Sequence, residues 1–117
     1  MFLELAHTKL DVFKISKELV ILCYKMNALL PSEEKFALNQ QIRRAALSVH
    51  LNIAEGSSRK SEAERRRYFE IARGSVIEID TALDLAIELG YINKELLVET
   101  GSYITRCFQM LSKMINT

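Results

Sequence analysis

Four long stretches of apolar residues at three- and four-residue spacing, separated by a handful of breakers, constrain this chain more than any other feature. With one proline and four glycines in 117 residues there are few places where a helix must stop. Nowhere does the apolar/polar alternation of a half-buried strand run for a useful length. The first stretch, residues 9–29, carries Val12, Ile15, Leu19, Leu22 and Met26 on one stripe, and Pro31 forbids simple continuation. Ser32 is placed to cap a second helix, residues 33–56, with Leu38, Ile42, Ala45, Val49 and Ile53 on its face. Gly56 supplies the stop signal of a residue that takes the left-handed conformation at low cost. Ser61 to Glu64 has the spacing of a capping box and predicts a third helix over 62–89, ended by Gly90. Asn93 is placed to cap a fourth, residues 94–116, which Gly101 weakens near its start. Short connectors force consecutive helices antiparallel, so the expected fold is all-α, an up-down-up-down four-helix bundle in one domain spanning 1–117. Small residues Ala45, Ala46, Ser48, Ala72, Gly74 and Ser75 predict close approach of the second and third helices. No proline accompanies Gly74, so it reads as a packing position rather than a kink.

Composition bounds the function classes. With 49% hydrophobic and 26% charged residues the chain is neither disordered nor low-complexity. No apolar run approaches the roughly 20 residues of a membrane span. Residues 1–5 lack the basic and apolar regions of a secretory signal, which makes the cytoplasm the expected location. Cys23 and Cys107 fall on apolar stripes and read as buried hydrophobes. The formal net charge of +1 conceals a segregation. Residues 40–75 hold eight basic side chains against four acidic ones, whereas residues 78–99 carry six acidic side chains against Lys94 alone. Arg59, Lys60, Arg65, Arg66 and Arg67, followed by Tyr68, would gather at one end of the bundle. Such a cluster suits backbone phosphates, with Tyr68 available to stack on an unpaired base. Two other readings stay open: the arginines pair with Glu62, Glu64 and Glu70 one turn away, or the basic segment of one copy meets the acidic segment of another.

A polar stripe on the second helix, Arg44, Ser48, Asn52 and Glu55, needs partners wherever it is buried, and Arg73 on the antiparallel neighbour is the natural one for Glu55. This reads as a network fixing register or subunit contact rather than a catalytic group. Catalytic patterns are missing. Glu4 to His7 is the chain's only Glu-x-x-His, where a bundle metal site needs two such pairs and two more glutamates. His50 has no ligand partner at a useful spacing and reads as a helix-face residue, and no phosphate loop or nucleophile elbow is present. The expectation is a non-enzyme without metal or cofactor.

The segments Gln41-Ile-Arg-Arg-Ala-Ala-Leu-Ser-Val49 and Asn52-Ile-Ala-Glu-Gly56, followed by Tyr68-Phe-Glu-Ile-Ala-Arg-Gly-Ser75, Glu78 and Leu89-Gly-Tyr91, resemble the four-helix-bundle proteins encoded in intervening sequences of bacterial 23S ribosomal RNA genes. The chain is more distantly similar to the accessory protein of diversity-generating retroelements, a nucleic-acid and reverse-transcriptase binding partner. The resemblance implies a small bundle forming a ring-like homo-oligomer, a pentamer, with a nucleic-acid role and no catalysis. The expected partner is nucleic acid, RNA rather than DNA, or alternatively a protein, and no membrane. Encoding within a ribosomal RNA gene does not make the product a ribosome component. The matching positions Arg43, Asn52, Glu55, Arg73 and Glu78, with Arg44 beside them, read as a fold or assembly signature. Arg65, Arg66 and Arg67 lie outside the family motifs and are assigned on charge alone.

Overall fold

The computed structural model describes residues 1–117 and holds four α-helices and no strand: α1 (Asp11–Lys25), α2 (Leu38–Ser57), α3 (Glu62–Glu88) and α4 (Val98–Ile115). The chain forms a four-helix bundle measuring 44 × 30 × 23 Å. α1 packs on α2 and α4, and α3 on the same two, which closes the four helices into a ring around one core. Leu19, Ile42, Val49, Ile53, Val76, Ile79 and Leu111 are essentially shut off from water. Each contributes about 1.5–3 kcal/mol relative to an exposed position.

The ends differ from the sequence-based expectation where local hydrogen bonds compete with helix. Met26–Leu29 and Lys94–Leu97 tighten into 3-10 turns that trim the first and fourth helices. The second helix starts five residues late. Ser32 makes no side-chain cap; Ser32–Glu34 is a 3-10 turn, and Ala37, at φ −125° and ψ −96°, interrupts the run. Glu34 explains the delay: its carboxylate accepts from the backbone N–H of Leu38 at 3.4 Å and from the Tyr91 hydroxyl at 3.1 Å. A carboxylate that satisfies the first turn of α2 from outside cannot itself lie within α2. Ser61 caps α3 as expected, its Oγ accepting from the N–H of Glu64 at 3.0 Å, whereas Asn93 makes no side-chain cap.

Gly56 and Gly74 both depart from the sequence-based expectation, whereas Gly90 is the stop it was expected to be. Gly56 has no positive φ, and α2 runs through it to Ser57; Gly90, at φ 78°, is the left-handed one. A Cβ on Gly56 would lie 2.8 Å from Phe69 Cε1 and 2.9 Å from Tyr68 Cβ, so this glycine is required by the close approach of α2 to α3. Gly74 was the expected packing position, but a Cβ there meets nothing within 4 Å, and α3 passes through without a break. The tight α2–α3 seam is built instead from Ala45, Ala46 and Ala72, all buried. It also contains a hydroxyl pair, Ser75 Oγ donating to Ser48 Oγ at 2.7 Å.

Cys23 and Cys107 are buried and unpaired, as expected. Burial pushes both thiols up to about 12, and for Cys23 the nearby Cys107 adds to the effect. His50, expected on a helix face, is half-buried. Its Nδ1 lies 2.7 Å from Ser16 Oγ, and the Ser16 hydroxyl is itself spent on the carbonyl of Phe13 at 2.9 Å. Nδ1 therefore carries the proton and donates. The ring of Phe13 stacks on His50 at 4.3 Å and meets the ring of His7 edge-on at 4.9 Å. This stack pins the N-terminal 3-10 turn, Ala6–Lys9, against the end of the bundle where α2 finishes and α3 begins.

Candidate nucleic-acid interface

The basic end is assembled by the α2–α3 connector and the first two turns of α3. Arg59 and Tyr68 form one unit: the guanidinium pairs with Glu55 at 2.9 Å, donates to the Tyr68 hydroxyl at 3.1 Å and sits 4.9 Å from the Tyr68 ring centre. Its charge is thus answered by Glu55 at the end of α2, and one face of Tyr68 is covered. Glu55 is more than half exposed, so its partner is Arg59, one turn away, and not Arg73 on the neighbouring helix.

The other cations differ. Arg65 Nη1 donates to the carbonyls of Arg59 and Lys60, each at 2.8 Å. Arg66 Nε donates to the carbonyl of Ile115 at 3.1 Å, closing the last turn of α4. Both guanidinium groups are held by neutral carbonyls, which fix their position and leave their charge unanswered. Arg67 and Lys60 are exposed. Arg59–Glu55 is the one ion pair in the chain, so Glu62, Glu64 and Glu70 do not neutralise the arginines beside them. Lys60, Arg65, Arg66 and Arg67 are thus four cations without an ion-pair partner on two turns and a connector, set among Glu62, Glu64 and Glu70.

The polar positions read as an assembly network are not brought together. Asn52 Nδ2 donates to the backbone carbonyl and hydroxyl oxygens of Ser48, at 2.8 and 3.1 Å, extending the Ser48–Ser75 pair. Arg43 lies over the Tyr24 ring at 5.9 Å, and Arg44 is exposed. Arg73 reaches α4, donating to Ser112 Oγ at 3.2 Å with Phe108 at 5.9 Å. Glu78 accepts from Gln41 Nε2 at 3.1 Å. These are separate ties between neighbouring helices.

A cleft of about 400 Å³ opens beside the unpaired arginines, walled by Arg65, Arg66 and Glu62 on α3 and by Ser57 on α2. Ala6, Leu10, Phe69 and Met114 supply its apolar surface, and His7 and Thr117 complete it. Residues from before α1, the end of α2, the start of α3 and the end of α4 meet here, as alternating helix directions require. Sequence reasoning missed this cleft, because residues 6–10, 57 and 114–117 carry no shared motif and meet only through the tertiary fold. No three His, Cys, Asp or Glu side chains converge as a metal site, and no helix is long and apolar enough to cross a membrane.

No curated protein matches the chain. Among solved structures it is similar to a protein of unknown function from the S23 ribosomal protein family of Bacteroides thetaiotaomicron. The two are 27% identical, over 91% of this chain and 96% of that one, with a TM-score of 0.83. The profile of the 23S rRNA-intervening sequence protein family matches residues 8–113, nearly the whole bundle with all four helices, and the chain belongs to that family.

Proposed function

We propose that this protein is a non-enzymatic, cytoplasmic nucleic-acid-binding module. It engages phosphates through Lys60, Arg65, Arg66 and Arg67, with Arg59 and Tyr68 as a flanking unit, and it works as a homo-oligomer, with five subunits as the count implied by the family resemblance. The observation that carries the reading is the anchoring of Arg65 and Arg66 on backbone carbonyls with no carboxylate within 4 Å. Guanidinium groups fixed in this way have lost their conformational freedom in advance and offer their remaining N–H groups to phosphate. RNA is the first ligand class to test, because the family takes its name from an intervening sequence of 23S rRNA. Repetition of the patch around an oligomer would raise avidity without any new contact.

The test is fluorescence anisotropy of an RNA hairpin titrated with protein between about 50 and about 200 mM salt, with duplex DNA as competitor. Binding should weaken steeply with salt. Replacing Arg65, Arg66 and Arg67 together by glutamine should lower the slope of log K against log salt by about 2–3, at roughly 0.7–0.9 per phosphate contact. Absence of binding at low salt, or an unchanged slope in the triple variant, overturns the reading. Co-purification with a protein and no nucleic acid would instead support an adaptor role.

A further inference from the structure

We infer that the cleft at the basic end is a nucleotide pocket, taking one phosphorylated nucleoside with its phosphate on Arg65 and Arg66 and its base against Leu10, Phe69 and Met114. This deepens the reading of the same end as a nucleic-acid surface and rests on it only for the source of the nucleotide, a strand or the free pool.

The cleft presents several chemistries at once. Two arginines held by backbone carbonyls line it, and neither has a carboxylate within 4 Å. After the bonds described, Arg66 keeps both terminal nitrogens free and Arg65 keeps Nε and Nη2, so each presents N–H donors in the planar fork that matches phosphate oxygens. Opposite them, Leu10 keeps 38% of its surface exposed although it packs at the bundle end, leaving apolar area for a flat ring to cover. Glu62, exposed on the α3 wall, is an acceptor with no donor of its own. Ser57, in the α2 wall, holds a buried hydroxyl without a hydrogen-bond partner, an unspent donor next to the cleft.

A nucleotide answers three of these together: phosphate for the guanidinium groups, ring faces for the apolar side, and ribose hydroxyls or exocyclic amines for Glu62. Inorganic phosphate leaves the apolar side wet and Glu62 unanswered, and an aliphatic acid brings no donors to Glu62. A volume of about 400 Å³ lies in the lower part of the roughly 300–1,000 Å³ range of small-molecule sites. That volume suits one nucleotide and not a duplex, with Arg65 and Arg66 shared between the cleft and the outer face. Arg67 belongs to the outer face alone, and Leu10 to the cleft alone.

Calorimetric titration of the intact protein with adenosine 5′-monophosphate, adenosine and inorganic phosphate tests the pocket. The monophosphate should bind at least about tenfold more tightly than either fragment, a preference of about 1.4 kcal/mol. Leu10→Trp, which fills the cleft from an exposed position, should abolish monophosphate binding and leave the salt slope of hairpin binding intact. Arg67→Gln should do the reverse. Glu62→Arg separates pocket from surface by sign, since it should strengthen hairpin binding at low salt while narrowing the preference for monophosphate over phosphate. Competition by the monophosphate against a hairpin with a single-stranded overhang, and not against a blunt one, places an unpaired nucleotide of a strand in the cleft. Monophosphate binding without such competition places a free nucleotide there. Inorganic phosphate binding as tightly as the monophosphate overturns the pocket, as does unchanged monophosphate affinity in both Leu10→Trp and Glu62→Arg. Hairpin binding lost to added salt alongside either of those results leaves the outer surface standing, so the two readings fail separately.

Discussion

Gly56 and Gly74 are both helix-interior glycines, and replacing each by alanine should move stability in opposite directions. Alanine is favoured over glycine within a helix by about 0.5–1 kcal/mol, through the smaller backbone entropy it loses on folding. At Gly74 nothing opposes that gain, since an added Cβ meets no atom within 4 Å; Gly74→Ala should stabilise by about 0.5–1 kcal/mol. At Gly56 the same gain is set against contacts of 2.8 Å to Phe69 Cε1 and 2.9 Å to Tyr68 Cβ. The Phe69 ring is buried with 6% of its surface exposed, and Tyr68 Cβ moves only with the backbone of α3, so α2 and α3 must separate. Overpacking of this kind costs about 1–3 kcal/mol. The propensity gain is common to both variants and cancels in their difference, which isolates the packing cost. Urea unfolding followed by helical circular dichroism, at one fixed protein concentration, should place Gly56→Ala about 1–3 kcal/mol below Gly74→Ala, with wild type at or above the former and below the latter. At about 4 °C per kcal/mol for a chain of this length, the melting temperatures should differ by about 4–12 °C. Equal shifts, or a stabilised Gly56→Ala, would refute the claim that Gly56 exists to let α3 approach.

Further expectations follow from the buried titratable groups. Burial, with Lys17 and His7 adding repulsion, lowers the pKa of His50 below its ordinary 6.5. The unfolded chain therefore binds the proton more readily, and this contribution to stability is complete above about pH 6.5 and is lost as pH falls through that value towards the folded pKa. Unfolding titrations across that window should show wild type losing stability and His50→Gln a flatter profile; equal steepness would refute the assignment. Cys23 and Cys107, with thiols pushed up to about 12, should ignore a thiol-specific aromatic disulfide reagent in the native state and react on unfolding. Rapid labelling of either in the folded protein would contradict its burial.

Helix number and type, the cap at Ser61 and the burial of both cysteines were legible in the sequence, because each is set by neighbours within one or two turns. Periodicity of Leu19, Val49, Val76 and Leu111 against polar residues fixes which face turns inward whatever packs on it. The start of α2 was not legible. Glu34 looks like an ordinary first-turn acid, and what withdraws it is Tyr91, 57 residues away. Gly56 and Gly74 were misread for a related reason: sequence shows that a Cβ is missing and not what stands opposite it. Segregation of charge was visible in the chain, but whether those charges were answered was not. That outcome depended on Arg65 and Arg66 finding carbonyls on the connector and on α4 instead of the acids beside them. The cleft lay furthest from sequence, since its walls come from four places along the chain that share no pattern. Hydrophobic periodicity is a local property and set the elements; the pairing of polar groups across helices is a property of their distance in space, and only the packed bundle decided it.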